Sequence, residues 1–209
     1  MSDSCCGKAV DVAALEARQK RVLIIVLVIN AATFLMVVAA ALMARSSSLL
    51  SGGLDNLGDA LTYAMSIAVV GASMGAKARV AVFKGLLILG AAIVVGAQIA
   101  WQITHPAIPV FETMGVAAML NLAANVWCLK LLSPYRSGDV NMASAWECSR
   151  NDVWEGVAVL GAAGGVWLFD AGWPDLVAAI ALLVLFLRSS LRVLGNARRE
   201  LRAAAATEH

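Results

Sequence analysis

Six long apolar stretches occupy most of the sequence, and each is long enough to cross a hydrocarbon core about 30 Å thick. The chain has 209 residues, of which 61% are hydrophobic and only 14% are charged. A water-soluble domain of this size does not need so much apolar surface. The sequence therefore predicts an all-α, polytopic membrane protein with six transmembrane helices in one bundle. The six stretches span residues 22–44, 49–74, 80–103, 110–132, 142–169 and 173–194.

Polar segments at the two ends divide the chain into three parts. We expect residues 1–21 to form a cytoplasmic N-terminal leader, residues 22–195 the six-helix transmembrane domain, and residues 196–209 a short cytoplasmic tail. Within the leader, residues 12–20 could form a short amphipathic helix at the membrane surface. The first apolar stretch is too long for the core of a signal peptide, so we expect it to be retained.

Lysine and arginine are distributed unevenly between the predicted loops. Basic residues precede the first stretch, surround the second-to-third and fourth-to-fifth links and close the chain, whereas Arg45 stands alone on the opposite side. Positively charged loops stay on the cytoplasmic side of a membrane. We therefore expect both termini in the cytoplasm and the protein in the inner (plasma) membrane of a bacterium. The net charge of +2 reflects this topology and does not indicate nucleic-acid binding.

Two carboxylates, Asp55 and Asp59, interrupt the second apolar stretch. A charge at the centre of a membrane helix costs about 2.5 to 3.5 kcal/mol on insertion scales, so such residues are usually functional. No basic residue lies within this stretch to neutralise them. The helical repeat places them on one narrow, polar face. The other polar residues of that face are Ser51, Thr62 and Ser66.

The fifth stretch is the least apolar of the six and carries a second set of ionisable groups. Cys148, Asp152 and Glu155 follow the i, i+4, i+7 spacing, which brings them to one side of a helix. If the second and fifth helices face each other, Cys148 and Asp152 join Asp55 and Asp59. These four donors are the number that a tetrahedral metal site requires.

A donor set of three carboxylates and one thiolate suits Zn²⁺ and Cd²⁺, because Mg²⁺ and Ca²⁺ prefer six or more oxygen ligands. Such ligands lose protons when they bind a metal ion, so protons can in turn expel the ion. The sequence thus predicts a divalent metal/proton antiporter that works by alternating access. The metal ion is the transported substrate. We expect no cofactor and no enzymatic activity.

Two segments resemble the cation diffusion facilitator family. Asp55-Asn-Leu-Gly-Asp59 is similar to the second transmembrane helix of that family, where an acid or His is followed three residues later by Asp. Cys148-Ser-Arg-Asn-Asp152 is similar to the fifth helix, where the usual pattern is His, three residues, Asp. The resemblance implies a homodimeric metal/proton antiporter with cytoplasmic termini and a transport site formed by Asp55, Asp59, Cys148 and Asp152.

The sequence departs from the family pattern in two ways. Cys148 replaces the usual His and favours softer ions. Most members continue into a cytoplasmic metal-binding domain after the sixth helix, whereas this sequence ends at His209, so we expect the membrane helices alone to hold the dimer. Glu155 is outside the family's usual quartet, and we consider it an accessory proton carrier.

Other interpretations of the same acids remain open. The main alternative is a proton-coupled exporter of small organic cations, although such a substrate gains nothing from a thiol beside Asp152. A membrane-embedded metalloenzyme is disfavoured because the predicted bundle has no His and the chain has no HExxH-like motif. A sensor without transport is a third possibility. Cys5 and Cys6 in the leader could capture soft metals, but two adjacent exposed thiols do not require a function.

Three further polar residues are assigned structural roles. We expect Asn30 to hydrogen-bond a neighbouring helix. Asp175 follows Trp173 and Pro174 at the start of the sixth stretch, where an acid stabilises the positive end of its own helix. We expect His105 to be an exposed loop residue rather than a ligand.

Overall fold

The computed structural model describes residues 4–68, 74–136 and 140–207, with side chains for most of these ranges. Within them the chain is all helical and contains no strand. Each of the six apolar stretches forms a helix where it is described; residues 69–73 of the second stretch lie outside the described residues. The elements are α1 (Ser4–Ala44), α2 (Ser47–Ala68), α3 (Met74–Thr104), α4 (Phe111–Leu132), a short 3-10 helix (Ser133–Tyr135), α5 (Val140–Phe169) and α6 (Trp173–Thr207).

The first and last helices are longer than the apolar stretches that predicted them. Helix α1 begins at Ser4, and helix α6 continues to Thr207. The segment expected to be a separate surface helix, residues 12–20, is part of α1. Both ends are rich in Ala, Leu, Arg and Glu, which favour helix, so no break forms where the composition changes.

Four helices contain segments that are long and apolar enough to cross a membrane, as judged over the described residues. The outward faces of these helices carry large apolar side chains; Leu35 is 68% exposed and Met43 is 73% exposed. Soluble monomers rarely expose apolar surface on this scale. These features indicate an integral membrane protein. The four segments are Ala17–Ala44, Gly85–Thr104, Phe111–Tyr135 and Ala145–Phe169.

Four of the helices, α1, α2, α4 and α5, pack as a group. Helices α3 and α6 pair closely with each other, and this pair lies against α2 and α5. Two glycines allow close approach within the four-helix group. A side chain at Gly53 of α2 would meet Val38 of α1 at 3.0 Å, and one at Gly156 of α5 would meet Leu122 of α4 at 3.1 Å.

Three of the links between helices meet at one end of the bundle. The backbone N–H of Val110, before α4, donates to the carbonyl of Ala44 at the end of α1 at 3.0 Å. At the same end, the start of α2 is hydrogen-bonded to Asp175 in the first turn of α6. We call this the Asp175 end. The start of α1 and the end of α6 lie at the opposite end, which we call the terminal end.

Candidate functional site

All five predicted site residues line one cavity of about 520 Å³. Helices α2, α3, α5 and α6 form its walls, so the cavity lies where the four-helix group faces the α3–α6 pair. Residues from α2 and α5 supply the five predicted ionisable side chains, α6 supplies Arg188, and α3 supplies apolar residues. The predicted five are Asp55, Asp59, Cys148, Asp152 and Glu155.

Three residues of the polar face predicted for α2 line the cavity in the described part of the structure. Asp55, Asp59 and Thr62 line the cavity, as their i, i+4, i+7 spacing requires. Ser51 is buried elsewhere, and its hydroxyl donates to the carbonyl of Ser47 at 2.9 Å. The side chain of Ser66 lies outside the described part of the structure.

The carboxyl groups of the two helices lie close together, with Asp55 near Asp152 and Glu155, and Asp152 also near Asp59. Asp152 is the most enclosed of the group, with only 6% of its surface exposed. The facing of α2 and α5 that the sequence argument required is therefore present in the fold.

No group of three or more His, Cys, Asp or Glu side chains in the described ranges is arranged to hold a metal ion. The five ionisable side chains share a cavity without converging on one point. A metal ion coordinated by four of them would require side-chain rearrangement or a shift between α2 and α5.

The cavity lies in the middle part of the bundle. Along α2 its lining runs from Leu54, on the side of the Asp175 end, to Thr62, on the side of the terminal end, and Arg188 of α6 lines it as well. Arg188 brings a guanidinium to the wall, and Trp154 brings an indole that is 69% exposed. The sequence argument did not identify either residue as part of the site, because each belongs to an ordinary position of a long apolar helix.

The interior of the four-helix group is polar beside the cavity. Asn56 donates its Nδ2 to Oδ1 of Asn121 at 2.8 Å, which joins α2 to α4. The Tyr63 hydroxyl donates to Asp59 at 3.4 Å, so Asp59 contacts both the cavity and the group's interior. The i, i+4 spacing of Asp59 and Tyr63 was the sequence signal for this contact.

Asn30 is predicted to hydrogen-bond a neighbouring helix, but its amide N–H group bonds its own helix instead. Its Nδ2 donates to the carbonyl of Val26 in its own helix at 3.0 Å, because that carbonyl lies one turn earlier on the same face. Among the described residues, its Oδ1 is buried without a hydrogen-bond partner, as are Oδ1 of Asn125 and the hydroxyl of Ser149.

Asp175 lies in the first turn of α6, as predicted, and has a further role that the sequence did not indicate. It is fully buried, and its carboxylate binds the start of α2. It accepts the backbone N–H groups of Ser47 at 2.8 Å and Ser48 at 3.1 Å, and the hydroxyls of Ser46 at 2.7 Å and Ser48 at 2.6 Å. The unpaired N–H groups at the start of α2 form the nearer positive site, so the carboxylate stabilises that helix.

A second cavity of about 460 Å³ lies at the Asp175 end between α1, α2 and α3. Arg45 and His105 line it, together with Ser46 and Gln102. His105 is exposed just after α3, as predicted, and its ring stacks on Trp101 with centroids 3.8 Å apart.

The remaining cysteines are separate from the site. Cys128 is buried in an apolar cluster with Val26, Tyr63 and Leu132. The side chains of Cys5 and Cys6 lie outside the described part of the structure, so the prediction of metal capture by these thiols stays a prediction.

Comparison with known proteins finds no protein-family model that matches the sequence and no matching curated protein. The functional argument therefore depends on the geometry and chemistry of the cavity.

Proposed function

We propose that the protein is a divalent metal cation efflux transporter, with Zn²⁺ and Cd²⁺ as substrates, and that it exchanges the metal ion for protons by alternating access. The observation that carries the proposal is the single cavity lined by Asp55, Asp59, Cys148 and Asp152 from two facing helices. Ionisable groups at this depth are costly in a membrane protein and mark substrate or ion pathways. Glu155 in the same cavity is proposed as an accessory proton carrier.

The chemistry of the donors supports a borderline metal ion. Carboxylate oxygen and thiolate sulfur together suit Zn²⁺ and Cd²⁺ better than Mg²⁺ or Ca²⁺. The carboxyl groups lie near one another in the cavity, and two neighbouring carboxyls repel each other unless one of them is protonated. A metal ion that draws the four donors together would replace those protons.

The proposal also specifies the number of membrane-crossing helices, the topology and the oligomeric state. We infer six membrane-crossing helices, cytoplasmic termini from the Lys and Arg distribution, and a homodimer, in keeping with the resemblance to cation diffusion facilitators. On this assignment the terminal end faces the cytoplasm, which is the compartment from which an exporter loads its substrate.

Transport by purified protein tests the proposal. In proteoliposomes with an acidic lumen, protons that leave through the wild-type protein should drive Zn²⁺ or Cd²⁺ into the lumen. Asp59→Ala or Asp152→Ala should abolish this uptake. Glu112→Gln is the matched control, because Glu112 is an exposed acid on α4 that does not line the cavity. Full transport by both alanine variants, with the same size-exclusion profile as the wild type, would contradict the proposal.

One observation favours the alternative substrate, a small organic cation. Trp154 lines the cavity and could hold an ammonium group over its indole face. Calorimetry distinguishes the two substrates. Metal binding that is lost in Asp152→Ala and kept in Trp154→Leu supports metal transport, whereas binding of tetramethylammonium that requires Trp154 supports the alternative.

A further inference from the structure

The two cavities lie on opposite sides of a closed region of the bundle. Leu50 lines the cavity at the Asp175 end, and Leu54, one turn later on α2, lines the cavity that contains the acids. Leu54 packs against a buried apolar cluster of α3 and α6, which includes Val95 and Ala179. Leu50, Leu54 and this apolar cluster therefore lie between the two cavities.

A polar cluster fixes α2 in this closed position. The Asp175 carboxylate accepts four hydrogen bonds from Ser46, Ser47 and Ser48. Gln102 at the end of α3 joins the cluster, because its Oε1 accepts the Ser47 hydroxyl and its Nε2 donates to Asp175 at 3.4 Å. The cluster thereby connects the helix that carries Asp55 and Asp59 to both members of the α3–α6 pair.

Members of the same cluster form the wall of the second cavity. Ser46 and Gln102 line that cavity and also belong to the Asp175 cluster. If α2 separates from α3 and α6 at this end, the hydrogen bonds to Asp175 must break first. The second cavity then becomes continuous with the space beside Leu54.

We propose that Asp175 is a positioning residue whose hydrogen bonds keep the transport cavity closed on the side of the Asp175 end. We call Asp175 and its partners Ser46, Ser47, Ser48 and Gln102 the latch. The second cavity is then the vestibule through which the metal ion leaves. This inference rests on the proposed alternating-access transport. In the structure described here the latch is closed, because all four hydrogen bonds to the Asp175 carboxylate are formed.

Cys148 provides a native reporter of access to the transport cavity. It lines that cavity and is partly exposed. In a Cys5→Ser, Cys6→Ser, Cys128→Ala background it is the single thiol. A membrane-impermeant maleimide added to right-side-out or inside-out vesicles measures how fast Cys148 is reached from each side, with no metal ion present.

We expect Cys148 to be labelled mainly from the terminal side in the background protein. Asp175→Asn should increase labelling from the Asp175 side about tenfold or more, with little change from the terminal side, because the charged acceptor of two backbone N–H groups is lost. Ser48→Ala, which removes one hydroxyl donor, should give a smaller increase with the same sidedness.

Ser51→Ala is the control, because the Ser51 hydroxyl bonds only its own helix in the described contacts, one turn from the latch. A general loosening of the fold would raise labelling from both sides equally, and that result would overturn the proposal. Unchanged labelling in Asp175→Asn would also overturn it. If Asp175→Asn does not fold, the sidedness in Ser48→Ala decides.

The labelling experiment and the transport experiment fail independently. If the wild-type protein moves no metal ion but Asp175→Asn still increases labelling from the Asp175 side alone, the proposed substrate is wrong and the proposed role of Asp175 stands. If the wild-type protein transports the metal ion but Asp175→Asn leaves the labelling of Cys148 unchanged, the proposed role of Asp175 is wrong and the proposed substrate stands.

Discussion

Asp175 accepts the backbone N–H of Ser47 at 2.8 Å and so joins the first turn of α6 to the first turn of α2. The two residues are separated by 128 positions in the chain, yet the contact resembles a helix N-cap in its chemistry. A buried carboxylate is tolerated here because N–H and hydroxyl donors surround it.

Asp175→Asn should lower the stability of the protein. An asparagine keeps the size of the side chain but loses the charge. Its amide NH₂ group, a donor, replaces one of the carboxylate oxygens that accept hydrogen bonds. We expect a loss of about 1.5 to 3 kcal/mol, the usual range for a hydrogen bond to a charged group. Unfolding in detergent measures it, with Ser51→Ala as the control. Equal stability of Asp175→Asn and the wild type would show that the contact contributes nothing.

The helices and the composition of the site could be predicted from the sequence, because both depend on local periodicity. Apolar stretches of bilayer length predicted each helix, and the i, i+4 spacing brought Asp55 with Asp59 and Cys148 with Asp152. The facing of α2 and α5 was an assumption about tertiary packing, and the fold agrees with it. The four predicted ligands do not converge on one point in the part of the chain that the structure describes.

The tertiary role of Asp175 could not be predicted in the same way. Its position after Pro174 fits a helix start, and the sequence gives no indication that α2 begins beside it. The carboxylate can stabilise the positive end of either helix, and packing between α2 and α6 decides which one. The same limit applies to Asn56 and Asn121, which are ordinary polar residues of two helices until the fold brings them together.

Gly172→Ala should destabilise the Asp175 end. An added methyl group at Gly172 would lie 2.6 Å from the carbonyl oxygen of Ala107, and a backbone atom cannot move away as a flexible side chain could. We expect a cost of about 1 to 3 kcal/mol, which is typical of an overpacked site. Gly161→Ala is the matched control, since nothing lies within 4 Å of its added methyl group. Thermal unfolding of both variants in the same detergent gives the comparison.

Cys148→His should keep transport and shift the preference from Cd²⁺ toward Zn²⁺. Imidazole nitrogen suits Zn²⁺, whereas thiolate sulfur favours the softer ion. Competition between the two ions in a flux assay measures the preference. Cys128→Ser is the control, because Cys128 is buried in an apolar cluster and does not line the cavity. An unchanged preference in Cys148→His would show that the thiol is not a ligand.

Glu155→Gln should leave metal affinity within about threefold of the wild type, because three carboxylates and the thiol complete a four-coordinate site without it. The variant should release fewer protons per metal ion bound, since Glu155 contacts Asp55 and lines the same cavity. Calorimetry in buffers of different ionisation enthalpy counts those protons. A loss of affinity as large as that in Asp152→Ala would make Glu155 a ligand.

Metal affinity should fall as the pH falls, because protons and the metal ion compete for the same carboxylates and thiolate. Below the pKa values of the ligands, the apparent dissociation constant should rise about tenfold for each unit by which the pH falls and for each proton that the metal ion displaces. Asp59→Asn removes one ionisable donor, so it should weaken binding and also reduce the slope of the logarithm of the dissociation constant against pH. Glu112→Gln, outside the cavity, should change neither quantity. Titrations with Zn²⁺ at several pH values measure both, and an affinity that is independent of pH would contradict exchange of metal for protons at this site.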